Sequence, residues 1–468
     1  MVQIPLGISY ISAVLKKEGH RTHVVVVSSA SSGHSLRLID ESISRHAAGL
    51  VCFTSIATEY GLTSGLAREV KKRHPRLPLL IGGPHATLNP EEVMADGFDA
   101  VCVGEGEHPT LELVSQLEKG VNPAHIPNLW IRHGQEVERN ASRPFLDDLD
   151  SLPFPDREMW QEWIEEREPA KHVVLLGRGC PFHCTYCCNH AIRRTALGIY
   201  VRKRAPARIA DEIRDGLTRY PSIREVYFEM ETIGQDKKWV MALCSELDAL
   251  NRTLKRPLPF GTNFRITPHT EVDELFEALA GCNFGYLNIG LESGSEKIRR
   301  EVLKREYSNE DVRRVVAAAR KQGLRVNFYN LIGIPSETMA DVMETVKVNR
   351  ACMPDSISTS IFFPYPGTEL HARCREMGLL GAARVSQTER RIATLDLPGF
   401  PRKEIQKCYI WFDYWVYWGR VPAWKLLARV FRLKVGSYLL LQRLYGRFRA
   451  FMLERASRRD ERTARHSA

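Results

Sequence analysis

The chain has 468 residues, 44% hydrophobic and 26% charged, the proportions of an ordinary globular protein with room for about two or three domains. Its formal charge of +10 is local: residues 401–468 hold 16 Lys and Arg against 5 Asp and Glu, leaving 50 against 51 elsewhere, so a basic catalytic surface for nucleic acid is not indicated and no nucleic-acid partner is expected. Eleven cysteines, mostly single in apolar runs such as Cys52, Cys102 and Cys244, argue against a disulfide framework.

Residues 1–135 alternate helical and strand signals. Ile8–Glu18 is amphipathic and His23–Val27 is a β-branched run; then come strand Leu50–Phe53, helix Gly61–Lys72, strand Leu77–Ile81, helix Pro90–Ala95 and strand Ala100–Val103. Strands alternating with helices imply a doubly wound parallel sheet, in which ligands bind at the carboxyl ends of the strands. Those ends carry Ser55, Gly82-Gly83-Pro84-His85 and Gly104-Glu105-Gly106. The domain opens on Pro5-Leu6-Gly7 and a helix, so its first strand is expected to be missing.

Residues 136–168 read as an exposed linker, with Pro144, Pro153, Pro155 and the acidic run Asp147, Asp148, Asp150. Over 169–370 the alternation resumes with six strands: Val173–Leu176, Glu225–Phe228, Pro259–Phe264, Tyr286–Gly290, Val326–Ile332 and Ser356–Phe363. Six βα units suit a partial (β/α)6 barrel of the TIM type, with its chemistry at the carboxyl ends. Residues 371–468 read as a helical, basic and aromatic region.

Directly after the first of those strands stands Gly179-Cys180-Pro181-Phe182-His183-Cys184-Thr185-Tyr186-Cys187-Cys188-Asn189-His190. Three thiolates spaced in this way on a proline-stiffened loop can wrap one face of a cubane cluster and leave its fourth iron open to a small chelating molecule. A second reading adds His190 to the three cysteines as a structural zinc site in a non-enzymatic scaffold.

The spacing CxxxCxxC, with the aromatic Tyr186 before its last cysteine, resembles the radical S-adenosylmethionine (SAM) superfamily. That resemblance implies a 4Fe-4S cluster on Cys180, Cys184 and Cys187, SAM chelating the open iron, and reductive cleavage to a 5′-deoxyadenosyl radical. It places Tyr186 near the adenine. Later strand ends carry further landmarks in the family's order: Glu229-Met230-Glu231, Thr262-Asn263-Phe264-Arg265, Gly290-Leu291-Glu292-Ser293-Gly294-Ser295, Gly333-Ile334-Pro335 and Pro364-Tyr365-Pro366-Gly367. By resemblance Glu231 meets the SAM amine, with Glu229 as alternate. Arg265 meets the SAM carboxylate or else faces the surface or the substrate, and Glu292 with Ser293 meets the ribose or shapes the turn.

Residues 5–115 resemble the cobalamin-binding domain that precedes the radical domain in one large class of these enzymes. Ser55, Gly82, Gly83 and Gly104 are then the candidates for close backbone approach to the corrin. The Asp-x-His-x-x-Gly motif that supplies a cobalt ligand elsewhere is absent, and His85 reads as a structural turn residue.

The resemblance implies a radical SAM enzyme, a cobalamin-dependent methyltransferase acting on an unactivated carbon. The alternative is a cyclisation, rearrangement or oxidation enzyme in which cobalamin has another role or is lost. A reducing partner such as flavodoxin or ferredoxin is implied, and the substrate is a small or lipid-like molecule. No signal pattern and no apolar run of ~18 residues is evident, so a cytoplasmic location is expected. Aromatics and arginines at helical spacing over 401–455 suggest peripheral contact with the inner face of the membrane.

Overall fold

The computed structural model describes residues 4–28, 32–164, 171–268, 271–381 and 389–436. Five strands, β1 (Val51–Thr54), β2 (Leu79–Gly82), β3 (Ala100–Cys102), β4 (Leu129–His133) and β5 (Glu136–Arg139), form a first sheet in that order. β1 to β3 are parallel, joined by helix Tyr60–Arg73 and by the short helices Pro84–Leu88 and Pro90–Ala95. β4 and β5 run antiparallel to their neighbours, so the sheet is mixed and the all-parallel expectation is corrected. The cause is local. Gly134, at φ 64°, and Gln135 make a two-residue turn, which returns the chain beside itself as a hairpin.

The run His23–Val27 is a second correction. It forms no ladder, because among the described residues β1 pairs with β2 alone; Val25 and Val27 pack instead against the cluster that contains Ile81, Phe98 and Val101. The expected exposed linker is a third correction. Phe145, Leu149, Leu152 and Trp160 are buried, the Trp160 indole donates to Ser9 Oγ at 2.8 Å, and Asp156 accepts from Ser12 at 2.6 Å and pairs with Lys16 at 2.8 Å. Proline and aspartate make this segment irregular, but its four apolar side chains pin it between the domains.

The second sheet is the expected partial barrel. β6 (Lys171–Leu175), β7 (Glu225–Ile233), β8 (Phe260–Phe264), β9 (Phe284–Glu292), β10 (Arg325–Ile332) and β11 (Ser356–Ile361) are parallel, and each lies beside the next. The even residues of β7 face outward under the helices: Phe228 meets Phe260 and Phe284 with ring centroids 5.3 and 5.7 Å away. Burying one such ring stabilises by roughly 1.5–3 kcal/mol. The covering helices start where side chains cap them, with reciprocal boxes at Ser308/Asp311 and Thr338/Asp341.

Helix Arg402–Tyr417 lies on β11 and on helix Met339–Cys352, burying Ile405, Phe412 and Val416. Helix Ala423–Gly436 packs on it in turn. No described helix is long and apolar enough to cross a membrane. The part of 401–455 beyond residue 436 lies outside the described residues.

Candidate active site

The carboxyl ends of the barrel strands gather the expected residues. The cysteine loop leaves β6 through a two-residue ribbon in which Gly177 and Arg178 pair with Lys203 and Arg202. Gly179 takes φ 86°, and a Cβ there would stand 2.1 Å from the Tyr200 carbonyl oxygen, so the loop can pass this close only as glycine. Cys184 is buried, and Cys180 and Cys187 are half-buried. Burial pushes the Cys180 thiol up to about 11, so it ionises only when a metal or cation compensates.

Arg265, just past β8, sits on this loop. Its Nη1 is 2.7 Å from Cys184 Sγ and its guanidinium lies 3.8 Å from the centre of the Phe182 ring, while its buried Nε has no partner. A cation pressed on a thiol, with donor capacity unspent, suits a thiolate-bound anionic cluster. Each cysteine of a cubane binds a different iron, so the thiols need not converge on one point. A lone zinc would require that convergence, and among the described residues no three His, Cys, Asp or Glu side chains are so arranged. His190 is buried with Nδ1 unpartnered, and the zinc arrangement is not assembled.

Glu231, exposed near the end of β7, accepts from Asn189 Nδ2 at 2.8 Å. The same amide lies 3.8 Å from Cys187 Sγ, and Tyr200 O–H donates to Asn189 Oδ1 at 2.6 Å. Asn189 therefore ties the strand-end carboxylate to the cysteine loop. Glu292 stands at the end of β9 with φ 58° and accepts from Arg305, whose Nη1 also donates to Tyr186 O–H at 2.9 Å. Gly290 makes room for this pair, since a Cβ there would lie 2.3 Å from Glu292 Oε1. Burial pushes the Tyr186 phenol up, and the neighbouring Arg305 only partly opposes it.

Ser293 is fully buried. Its hydroxyl accepts from the Ser295 N–H at 3.2 Å and lies 3.4 Å from Thr345 Oγ1, so it serves the turn itself. Neither Asn189 nor Arg305 is singled out by sequence reasoning. Asn189 had a weak signal, following the last cysteines directly; Arg305 had none.

Below this layer, the residues facing the barrel lumen are polar. Tyr227 O–H donates to Asn263 Oδ1 at 2.7 Å, Asn288 donates to Tyr227 at 3.3 Å, Asn327 donates to Asn288 at 3.0 Å, and Ser356 donates to Asn327 at 2.7 Å. The chain of bonds spans β7 to β11. Lys171, Glu225 and Tyr286 close the floor, with Tyr286 donating to Glu225 and accepting from Lys171, both at 2.7 Å.

In the first domain, Gly83 at φ 94° and Gly104 at φ 95° end their turns in backbone that glycine adopts at low cost. A Cβ on Gly83 would meet Ser55 O at 2.8 Å, whereas one on Gly82 would find only Cys102 Cβ at 3.6 Å. Ser55 is buried and bonds its own turn at Ile56 O. His85 is buried against the Tyr60 ring, 4.2 Å between centroids, which fits its structural reading. Helix Pro84–Leu88 contacts helix Asn189–Ile192, so the strand ends of the first domain face the cysteine loop. Bare glycine backbone at such an edge fits a large planar cofactor.

A parallel partial barrel with a three-cysteine loop after its first strand, faced by the strand ends of a second α/β domain, defines an iron–sulfur radical enzyme with an accessory cofactor domain. Residues 174–348 match the family model of the Radical SAM superfamily and residues 2–114 that of the B12 binding domain, so the chain carries a radical SAM domain preceded by a B12 binding domain. Among curated relatives, an uncharacterized methyltransferase of Pyrococcus horikoshii is 25% identical over 86% of this chain and 85% of its own. The anaerobic magnesium-protoporphyrin IX monomethyl ester cyclase of Cereibacter sphaeroides is 23% identical over 80% of this chain and 60% of its own. Among solved structures, the radical SAM methyltransferase TsrM of Kitasatospora setae superposes with a TM-score of 0.64 at 18% identity, covering 82% of this chain and 75% of that one. The two chains share their fold.

Proposed function

We propose that this protein is a cobalamin-dependent radical SAM methyltransferase acting on an unactivated carbon of a small-molecule substrate. The observation that carries the proposal is the apposition, in one chain, of a three-cysteine loop and a glycine-edged α/β strand-end surface. When bound, the 4Fe-4S cluster and cobalamin supply radical generation from SAM and methyl carriage, chemistry that no side chain provides.

Cys180, Cys184 and Cys187 would hold the cluster, and Arg265 balances its charge. Glu231 offers a carboxylate to the SAM ammonium. Tyr186 and Glu292, joined through Arg305, hold the adenosine end, and Ser293 shapes the turn beneath it. Gly82, Gly83 and Gly104 let the corrin approach the backbone, and the buried Ser55 holds the turn beside them. The lumen layer of Tyr227, Asn263, Asn288 and Asn327 orients substrate by hydrogen bonds above a closed floor. A low-potential donor such as flavodoxin or ferredoxin supplies the electron in the cytoplasm, a setting consistent with eleven free cysteines.

Anaerobic reconstitution with iron, sulfide and cobalamin, followed by product analysis, tests the proposal. Methyl transfer gives S-adenosylhomocysteine together with 5′-deoxyadenosine. The resemblance to the cyclase supports a second reading, a radical cyclisation, rearrangement or oxidation. That reading gives 5′-deoxyadenosine alone.

We further propose that helix Ala423–Gly436 touches an anionic membrane surface. Trp424, Leu427 and Phe431, 68, 47 and 70% exposed, share one face, flanked by Lys425 and Arg432. Flotation with phosphatidylglycerol vesicles should recover the protein and fail for Trp424→Ala/Phe431→Ala; equal recovery of both removes the idea.

A further inference from the structure

Resting on the two-cofactor reading, we propose that Arg178, gripped by Glu105 and Glu107, is a positioning residue that fixes the first domain's strand ends over the cysteine loop. Glu105 lies in the turn that follows β3 and begins at Gly104, and Glu107 opens the helix Glu107–Glu118 that continues from it. Arg178 lies two residues before Cys180. Its Nη1 donates to Glu105 Oε1 at 2.9 Å and its Nη2 to Glu107 Oε1 at 2.5 Å, one prong of the fork to each carboxylate. The other Glu105 oxygen accepts from Arg202 Nη1 at 3.0 Å and from the Leu146 N–H at 3.0 Å. The guanidinium also stands 5.4 Å from the centre of the Tyr10 ring.

Two carboxylates and two guanidiniums thus close a neutral cluster in which Glu107 and Arg202 are buried. Burial alone would raise the Glu105 carboxyl, but Arg178 and Arg202 outweigh it and hold it below its usual range. Ion clusters of this kind seldom add stability over an apolar contact of the same volume, and the role assigned to this one is to set the register of the turn against the ribbon.

The ribbon that carries Arg178 has no slack. A Cβ on Gly177 would lie 2.3 Å from the Arg202 carbonyl oxygen, and one on Gly179 would lie 2.1 Å from that of Tyr200. Motion of the first domain's turn is therefore passed to the first cluster cysteine through two residues of rigid backbone. None of Glu105, Glu107, Arg178 or Arg202 is among the residues assigned above to hold a cofactor, so their cost in buried charge has no other use in the site.

The test compares wild type with Glu105→Gln/Glu107→Gln and with Arg178→Lys, each reconstituted with iron, sulfide and cobalamin. Electron paramagnetic resonance reads the spin–spin interaction between the reduced cluster and paramagnetic cobalt, a signature that a loss of stability alone does not alter. The variants should keep wild-type iron and cobalamin contents but show an altered interaction. Their ratio of S-adenosylhomocysteine to 5′-deoxyadenosine should fall on the order of tenfold or more, because a misplacement of about 1 Å can cost about a hundredfold.

An unchanged interaction with an unchanged ratio overturns the strap. Should the double variant not fold, Glu105→Gln alone decides by the same two readings. A wild type that takes up iron but no cobalamin defeats the two-cofactor reading instead. The strap is then judged by hydrogen exchange over 177–187, where faster exchange in Arg178→Lys supports it and equal exchange overturns it.

Discussion

Gly179→Ala isolates the geometry of the cysteine loop. The added Cβ meets the Tyr200 carbonyl oxygen at 2.1 Å and its carbon at 2.8 Å, both backbone atoms that cannot swing aside. It also leaves alanine at φ 86°. A non-glycine residue in that region costs about 1–3 kcal/mol, and overpacking costs about 1–3 kcal/mol more, so the native loop should be disfavoured by about 2–6 kcal/mol. Every ~1.4 kcal/mol is tenfold in an equilibrium, so a loop displaced to relieve the clash should hold the cluster roughly thirtyfold to over ten-thousandfold less tightly. Iron per chain after anaerobic reconstitution and desalting reads this directly, and thermal unfolding of the apoprotein reads the part that goes into the fold. Gly281→Ala is the control: no atom lies within 4 Å of its Cβ position, and helix Val272–Gly281 should gain up to about 0.5–1 kcal/mol. Retention of wild-type iron by Gly179→Ala, with an unshifted melt, would refute the reasoning.

Glu292→Gln leaves the buried Arg305 charge without its carboxylate, a loss of about 3–5 kcal/mol for a broken buried pair; calorimetry should find the variant destabilised and SAM binding weakened, whereas an unchanged melt contradicts the pairing. Burial lowers His85 from its ordinary value to about 4, so the unfolded chain binds the extra proton first as pH falls. The stability that follows is fully present above pH ~6.5 and is lost toward pH ~4, about 3 kcal/mol in all at ~1.4 kcal/mol per unit. His85→Phe should flatten that part of the stability profile between pH 7 and 5, and an unaltered slope would remove His85 as its source.

The sequence made the barrel legible because each strand is a short apolar run and each helix has its own apolar stripe, both local patterns. The cysteine loop was legible because its three donors are close in the chain. Arg305 was not: it reaches Tyr186 across 119 positions, and no periodicity marks such a bond. The same holds for Arg178 with Glu105, 73 positions apart. His23–Val27 has the composition of a strand but no partner among the described residues to make it one, and composition does not report partners. The prolines and aspartates between residues 144 and 156 mark the largely irregular backbone that follows the β4–β5 hairpin. Irregular was not exposed, because the apolar residues between them are anchored by both domains.

The most direct test of the central claim replaces Cys180, Cys184 and Cys187 with alanine in the full chain. Wild type, reconstituted without oxygen, should carry a 4Fe-4S chromophore and release 5′-deoxyadenosine from SAM under reduction, and the variant should do neither. A variant that keeps both the chromophore and nucleoside release, or a wild type that purifies with one zinc and no iron, would contradict the account.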